Sequence, residues 1–249
     1  MEEVDTKELH ELLDEEGSPP ATIETAMEQQ AAWEQEYNSG HAIPTSTRTR
    51  PSSAVVNFDE FLRQESSRDM SVLDLGAGAG RNCIFLAKRG YQVTALDFSQ
   101  SALKALKTKI TNKSWSNNVR IIQCDLTKPL PFADDTFDAF IDITTTTSLL
   151  PEDMKRLVTD LKRVVKQGGL FTCYTHSQDD GYLKMTAPEQ NHYEVDSTGI
   201  IDYAYTETEL RKLYSKWQIL DLQHIEKEDV LNGEQYVRRL WRMVGRNKK

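Results

Sequence analysis

The stretch that decides the fold reads Ser71-Val72-Leu73-Asp74-Leu75-Gly76-Ala77-Gly78-Ala79-Gly80. Its apolar first half predicts a buried strand, and the apolar residues at helical spacing after Gly80 predict a helix. A glycine-rich turn between a strand and a helix lets a ligand approach the backbone closely, because no Cβ blocks the way. We therefore expect a ligand to bind at the carboxyl end of this first strand.

Strand patterns alternate with helix patterns along the rest of the chain. Four more strands are predicted, at residues 92–96, 119–124, 137–143 and 170–175. Helices are predicted at residues 81–88 and 99–110, and from Pro151 to the pair Gly168-Gly169, which is expected to end the helix. This alternation predicts an α/β fold with a doubly wound, mostly parallel sheet.

The end of the chain completes a predicted seven-stranded sheet. A capping box at Thr206 and Glu209 predicts a helix through Lys216. Two strands follow, at residues 217–225 and 235–244, and Asn232-Gly233 separates them. Because the connection is short, we expect the final strand to run antiparallel.

The glycine turn differs from the dinucleotide-binding fingerprint Gly-x-Gly-x-x-Gly. Arg81 stands where that fingerprint has its third glycine, and Asp74 precedes the first glycine by two positions. Three further features follow in order: Asp97 after the second strand, Asp125 after the third, and the run 130–138 before the fourth. With this combination, about residues 30–249 resemble the class I S-adenosylmethionine-dependent methyltransferases, in the branch of small-molecule enzymes.

The resemblance implies cofactor contacts at the strand ends. Asp74 is expected near the ammonium group of the methionine part, Asp97 at the ribose hydroxyls and Asp125 at the adenine amino group. Phe98 and Leu126 are expected to enclose the adenine ring. The implied set is Asp74, Gly76, Ala77, Gly78, Asp97, Phe98, Asp125, Leu126 and Asp142.

An N-terminal Trp-x-x-x-Tyr helix closes over the cofactor in similar enzymes, and Trp33 and Tyr37 match that spacing. Arg48 or Arg50 is then expected to pair with the methionine carboxylate or with an anionic acceptor. A plain structural reading stays open, in which the two aromatic residues only pack the helix and the arginines are solvated.

The acceptor is expected beyond the carboxyl ends of the fourth and fifth strands, where residues 176–205 form an insertion. His176 is the candidate general base, because histidine titrates near neutral pH, and Asp142 is a second candidate. His192 is a weaker one. A structural, hydrogen-bonded role for His176 is the alternative.

Charge is concentrated at one end of this chain of 249 residues, whose net charge is −9. Residues 1–20 hold eight acids and one base, so this tail carries −7 and the rest only −2. Its composition predicts disorder or a marginal helix. We expect three parts: the tail at 1–20, N-terminal helices and a lid at 21–65, and the cofactor-binding domain at 66–249.

Composition also narrows the possible partners. No apolar run is long enough to span a bilayer, and no secretory signal is visible, so we expect no membrane partner. Three cysteines without paired spacing indicate a reduced, cytoplasmic protein without a zinc module or other metal site. Nucleic acid is disfavoured, since Ile141-Asp142-Ile143-Thr144 replaces the Asn-Pro-Pro-Tyr motif of enzymes that methylate base amines.

The leading hypothesis is a methyltransferase for a small molecule. Alternatives are a protein methyltransferase recruited through the acidic tail, and a non-catalytic S-adenosylmethionine-binding scaffold. A nicotinamide-dependent oxidoreductase is less consistent with the glycine spacing.

Overall fold

The computed structural model describes residues 23–40, 43, 46, 48–65, 69–186, 192–195, 198–231 and 233–249. The acidic tail lies outside these residues, so the predicted division of the chain stays a prediction. Two helices precede the sheet: α1 (Ile23–Gln35), which continues into a π-helical turn at Glu36–Gly40, and α2 (Ser53–Gln64). No helix among the described residues is long and apolar enough to cross a membrane.

Five parallel strands form the centre of the sheet, in the order β3-β2-β1-β4-β5. They are β1 (Ser71–Leu75), β2 (Gln92–Asp97), β3 (Val119–Gln123), β4 (Phe137–Ile143) and β5 (Val165–Ser177). The helices that cross between them are α3 (Arg81–Ala87), α4 (Gln100–Ile110) and α5 (Pro151–Val164). The predicted doubly wound α/β fold is confirmed.

The remaining elements are α6 (Gly181–Thr186), β6 (His192–Val195), β7 (Ile200–Tyr205), α7 (Glu207–Leu213), β8 (Trp217–Leu231) and β9 (Glu234–Asn247). β9 runs antiparallel to both β5 and β8, as predicted for the final strand. The capping box at Thr206 and Glu209 is present, although α7 ends at Leu213, before the predicted Lys216.

The predicted strand count of seven was wrong, because the described residues contain nine strands. The two additional strands, β6 and β7, lie in the segment predicted as an insertion. β5 extends beyond its last pair with β4, Ile143 with Tyr174, and there β7 pairs with His176 and Ser177 instead. Since backbone groups in a buried strand need partners, the overhanging end of β5 requires such a neighbour.

The predicted end of α5 at Gly168-Gly169 was also wrong. The helix ends at Val164, and both glycines lie inside β5. A Cβ at Gly169 would lie 2.8 Å from the backbone oxygen of Asp138, where the register between β4 and β5 shifts. The glycines therefore allow the backbones of β4 and β5 to approach closely where their pairing is irregular. They do not end the helix.

Both faces of the sheet are buried. Val72 of β1 packs with α2 and α3, including Phe58 and Leu86, in one cluster. Its neighbour Leu73 faces the other way and packs with α5 and β5, including Leu157 and Phe171. Because both faces are covered, a ligand can reach the sheet only at the strand ends, where the loops lie.

Candidate active site

A cavity opens at the carboxyl ends of β1, β2 and β4. Its empty volume is about 1110 Å³, which includes the solvent space at its mouth. The structure brings ten of the predicted cofactor residues together in its wall: Trp33, Tyr37, Arg48, Gly76, Ala77, Gly78, Asp97, Phe98, Asp125 and Leu126. Two predicted residues, Asp74 and Asp142, lie behind the wall.

The glycine turn forms a tightly enclosed cradle. Gly76 and Gly78 have φ angles of 57° and 54°, in the left-handed region that favours glycine. A Cβ at Gly76 would overlap the side chain of Thr145, and a Cβ at Gly78 would overlap the hydroxyl of Tyr37. No larger residue fits at either position, which leaves the backbone of the turn close to the cavity.

Asp97 ends β2 and joins the glycine turn to the next helix. Its Oδ2 accepts from the backbone N–H of Gly78 at 2.8 Å, and its Oδ1 accepts from the N–H of Ser99 at 2.9 Å. Burial raises the pKa of Asp97 to about 6, although these two hydrogen bonds oppose the rise. The carboxylate is thus fixed in position and still ionised at neutral pH, with acceptor capacity left for a ligand.

Asp74 lies beneath the glycine turn and is 1% exposed. Its Oδ2 has no hydrogen-bond partner. Burial raises the pKa of Asp74 to about 8, with Arg81 lowering it and Asp97 raising it further. A buried carboxylate oxygen without a partner needs an explanation, and a bound cation at the turn would supply one.

Asp125 lines the cavity directly after β3. Its Oδ1 accepts from the backbone N–H of Thr127 at 2.8 Å and from the Thr127 hydroxyl at 2.7 Å. Burial alone would raise the pKa of Asp125, but these hydrogen bonds and one from Gln30 lower it. An ionised acceptor therefore faces the cavity beside Phe98 and Leu126.

Helix α1 lies across the cavity and is attached on two sides. The Gln29 amide donates to the backbone oxygen of Gly199 at 2.7 Å and accepts from the N–H of Ile201 at 2.8 Å, which ties α1 to β7. Glu34 accepts from the hydroxyl of Ser101 at 2.6 Å, which ties α1 to α4. The helix thereby bridges the two sides of the cavity.

The aromatic pair of the predicted lid faces the glycine turn. The rings of Trp33 and Tyr37 stack with centroids 5.9 Å apart. Tyr37 belongs to the π-helical turn Glu36–Gly40, a distortion that often occurs at functional sites. Arg48 lines the same part of the cavity, whereas Arg50 is exposed and does not line it.

The structure does not bring Asp142 to the cavity surface. Its carboxylate is fully buried and accepts from the backbone N–H of Thr145 at 3.3 Å and from the N–H and hydroxyl of Thr146 at 3.2 and 2.5 Å. Asp142 thus holds the turn after β4, whose Thr144 and Thr145 line the cavity. This arrangement favours a positioning role over the predicted catalytic one.

His176 is likewise buried away from the cavity. Its Nδ1 lies 3.0 Å from Oδ2 of Asp180, and its Nε2 lies 3.6 Å from Oδ2 of Asp202. Burial disfavours the charged ring, but the two carboxylates outweigh it and raise the pKa of His176. Both ring nitrogens face buried carboxylates and His176 does not line the cavity, so the structural alternative is favoured. The side chain of His192 lies outside the described residues.

Sequence reasoning missed several cavity residues. Gln29 and Gln30 precede Trp33 by about one helical turn, so helical spacing back from Trp33 could have found them. Asp153 lies in the first turn of α5 and forms an ion pair with Arg156 at 2.7 Å. Nothing in its local sequence marks it as part of a site.

Comparison with known proteins finds similarity to methyltransferases. A methyltransferase domain model matches residues 72–169, from β1 into β5. A solved structure of 1,6-didemethyltoxoflavin-N1-methyltransferase from Burkholderia thailandensis, with bound 1,6-didemethyltoxoflavin and S-adenosylhomocysteine, shares the fold, with a TM-score of 0.69 and 19% identity. The match covers 94% of this chain and 93% of that one. Residues 72–169 thus match a methyltransferase domain, and the chain shares the fold of S-adenosylmethionine-dependent methyltransferases.

The proteins similar to this chain differ in what their names say they act on. Ribosomal protein L11 methyltransferase from Desulfitobacterium hafniense is 28% identical over 55% of this chain and 40% of its own. The tRNA N(3)-cytidine methyltransferase of Gallus gallus is 25% identical over 64% of this chain and 45% of its own. The chain thus spans less than half the length of these two relatives, and the similarity leaves the acceptor open.

The cavity fits S-adenosylmethionine, the cofactor that the resemblance implies, on two observations. The unpartnered Oδ2 of Asp74 lies below the turn where the resemblance expects an ammonium group. The cradle at Gly76 and Gly78 is one that a Cβ would fill. Asp97 and Asp125, at the carboxyl ends of the adjacent strands β2 and β3, supply the two predicted acceptors.

We expect binding of S-adenosylhomocysteine to release a proton. With a pKa of about 8, Asp74 is mostly protonated at pH 7 before the ligand binds, and the ligand's ammonium group stabilises the ionised form. Affinity should therefore rise as the pH increases towards 8. Asp97 has a pKa of about 6, so its ionisation increases the affinity only at lower pH.

Calorimetry in two buffers of different ionisation enthalpy measures this proton. The Asp74→Asn variant should bind more weakly and release no proton. Equal binding enthalpies in both buffers for the unmodified chain would show that Asp74 does not couple to the ligand.

Proposed function

We propose that this chain transfers the methyl group of S-adenosylmethionine to a small-molecule acceptor bound in the cavity. The observation that carries the proposal is that α1 and Arg48 cover part of the cavity. The helix is attached to β7 and to α4, and Arg48 forms an ion pair with Asp229 of β8 at 3.5 Å. An acceptor must fit between these elements and the strand ends, which suits a metabolite better than an open polymer.

The cofactor would be held along the carboxyl edge of the sheet. Asp97 would accept the ribose hydroxyls, and Asp125 would accept the adenine amino group. Arg81, which lines the cavity at the start of α3, suits the methionine carboxylate, and Asp74 suits the ammonium group. When bound, S-adenosylmethionine supplies a methyl group already activated on a sulfonium sulfur.

The chain's own residues would align the acceptor with the methyl group and exclude water from the cavity. Trp33 and Tyr37 cover the glycine turn, and the turn at Thr144 and Thr145 forms the facing wall. Holding an acceptor in line with an activated methyl group can supply much of the rate enhancement, about 7–11 kcal/mol in well-oriented systems. Asp142 and His176, both behind the wall, would position this wall rather than touch the acceptor.

Methyl transfer from radiolabelled S-adenosylmethionine tests the proposal. The full chain is incubated separately with a metabolite extract, with proteins and with RNA, and label is measured in each. We expect label in the metabolites, and we expect a form without residues 1–20 to keep its turnover. Label only in protein, lost with the tail, would support the protein methyltransferase instead, and no label in any pool would support the scaffold.

A further inference from the structure

The side of the cavity near Arg48 and Arg81 carries an excess of cations among the described residues. Both arginines line the cavity. Lys227 of β8 and Arg238 of β9 are cross-strand partners on the hairpin beside it. Four cationic side chains thus converge where Arg48 meets β8.

Few carboxylates balance these cations. Oδ2 of Asp229 lies 3.5 Å from Arg48 and 3.8 Å from Lys227, so one acid serves two cations. Arg238 has its own partner in Asp180, at 3.1 Å. Within the described part of the chain, no carboxylate lies at ion-pair distance from Arg81.

The cations also repel one another. Burial lowers the pKa of Arg81, and Arg48 is the next largest cause of the decrease. Burial likewise lowers the pKa of Lys227; Asp229 opposes this, and Arg238, Arg48 and Arg81 add to it. An anion placed among these groups would relieve the repulsion.

The cofactor relieves only part of this repulsion, because its one carboxylate suits Arg81, while Arg48 and Lys227 still share Asp229. S-adenosylmethionine carries an ammonium, a sulfonium and one carboxylate, so it adds one net positive charge. The other carboxylates that line the cavity are committed elsewhere: Asp97 and Asp125 lie at the nucleoside end, and Asp153 is paired with Arg156. The positive excess therefore remains when the cofactor is bound.

We propose that the acceptor carries an oxyanionic group, a carboxylate or a phosphate, and that Arg48 binds it with support from Lys227. A guanidinium presents parallel N–H donors that match either oxyanion, and the single contact of Arg48 with Asp229 leaves donors available. This inference rests on the proposed transfer to a small molecule and names the class of that molecule.

The test divides a metabolite extract by anion exchange into a retained and an unretained pool, each incubated with the full chain and labelled S-adenosylmethionine. We expect label in the retained pool. Arg48→Gln should lower the initial rate about tenfold, the loss expected for one hydrogen bond to a charged group. Arg50→Gln, in the same loop but exposed and off the cavity, should leave the rate unchanged.

Other outcomes separate the two proposals. Label confined to the unretained pool would overturn the anionic acceptor and leave the small-molecule function intact. Label found only in protein or RNA, or nowhere, would overturn both. If phosphatase treatment of the retained pool abolishes labelling, the oxyanion is a phosphate; if labelling persists, it is a carboxylate.

A binding measurement separates Arg48 from the cofactor site. Calorimetry should give Arg48→Gln the same affinity for S-adenosylhomocysteine as the unmodified chain, within about twofold, while Arg81→Gln binds about tenfold more weakly. Equal weakening in both variants would assign Arg48 to the methionine carboxylate and overturn the inference.

Discussion

Replacing Asp97 with asparagine should weaken the binding of S-adenosylhomocysteine by about a hundredfold or more. The carboxylate is anchored by Gly78 and Ser99 and faces the cavity as a preset acceptor for two ribose hydroxyls. Two hydrogen bonds to a charged group contribute about 1.5–3 kcal/mol each, and 1.4 kcal/mol is a factor of ten in affinity. Asparagine retains one acceptor oxygen and removes the charge.

Asp134→Asn is the matched control, because Asp134 is an exposed carboxylate beside Arg163, far from the cavity wall. Calorimetry of both variants, with thermal unfolding to confirm that each is folded, gives the comparison. A folded Asp97→Asn variant that binds S-adenosylhomocysteine as tightly as Asp134→Asn would remove Asp97 from the ribose site.

Replacing His176 with leucine should destabilise the fold by about 3–5 kcal/mol, the usual effect of removing one partner from a buried ion pair. His176 joins Asp180, after β5, to Asp202 of β7, which also accepts from the hydroxyls of Thr147 and Ser148 at 3.0 and 2.9 Å. Without His176, Asp180 retains Arg238 at 3.1 Å, whereas Asp202 retains the two hydroxyl donors but no cation at ion-pair distance among the described residues. Urea denaturation measures the change in the free energy of unfolding.

His224→Leu is the matched control. His224 of β8 is partly exposed and lies 3.3 Å from the exposed Asp179. Exposed ion pairs contribute about 1 kcal/mol or less to stability. Equal destabilisation by the two substitutions would show that the buried cluster does not hold the fold. If His176→Leu fails to fold, His176→Gln, which keeps a hydrogen bond donor, provides the measurement.

The stability that His176 provides should depend on pH. Its pKa is raised in the folded state, so its contribution is complete below the unfolded pKa of about 6.5 and is lost as pH rises through the folded value. Burial would raise the pKa values of Asp180 and Asp202, but both are lowered. His176 and Arg238 lower that of Asp180, and His176 with the hydroxyls of Ser148 and Thr147 lowers that of Asp202. Their contribution is complete above about pH 4 and is lost in stronger acid.

The difference in unfolding free energy between the unmodified chain and His176→Leu should therefore be largest between about pH 4 and 6.5. This difference in unfolding free energy should become smaller in alkali and in strong acid. A difference that grows in alkali would mean that His176 is held neutral.

Local sequence pattern predicted the part of the fold that local interactions determine. The first five strands follow from apolar runs, and their observed ends differ from the predicted ones by a few residues, most at β5. The ends of α5 and β5 were wrong because a glycine pair can end a helix or permit a bulge, and only pairing with β4 decides between them. β6 and β7 were missed because the overhang of β5 that pairs with β7 is not visible in sequence.

The candidate site also contains residues whose place the sequence predicted and residues whose place it did not. The glycine turn, Asp97 and Asp125 follow strands directly, so their position along the chain predicted their place in the cavity. His176 and Asp142 also follow or end strands, yet side chains from distant segments surround them and turn them into structural groups. Gln29 contacts residues about 170 positions away, a relation that no local pattern contains.

Calorimetric titration of the full chain with S-adenosylmethionine and, separately, with NADH is the most direct experiment on the cofactor site. The glycine cradle, the anchored Asp97 and the unpartnered Asp74 predict binding of S-adenosylmethionine at one site per chain and no binding of NADH. Binding of NADH without binding of S-adenosylmethionine would contradict the assignment of this cavity.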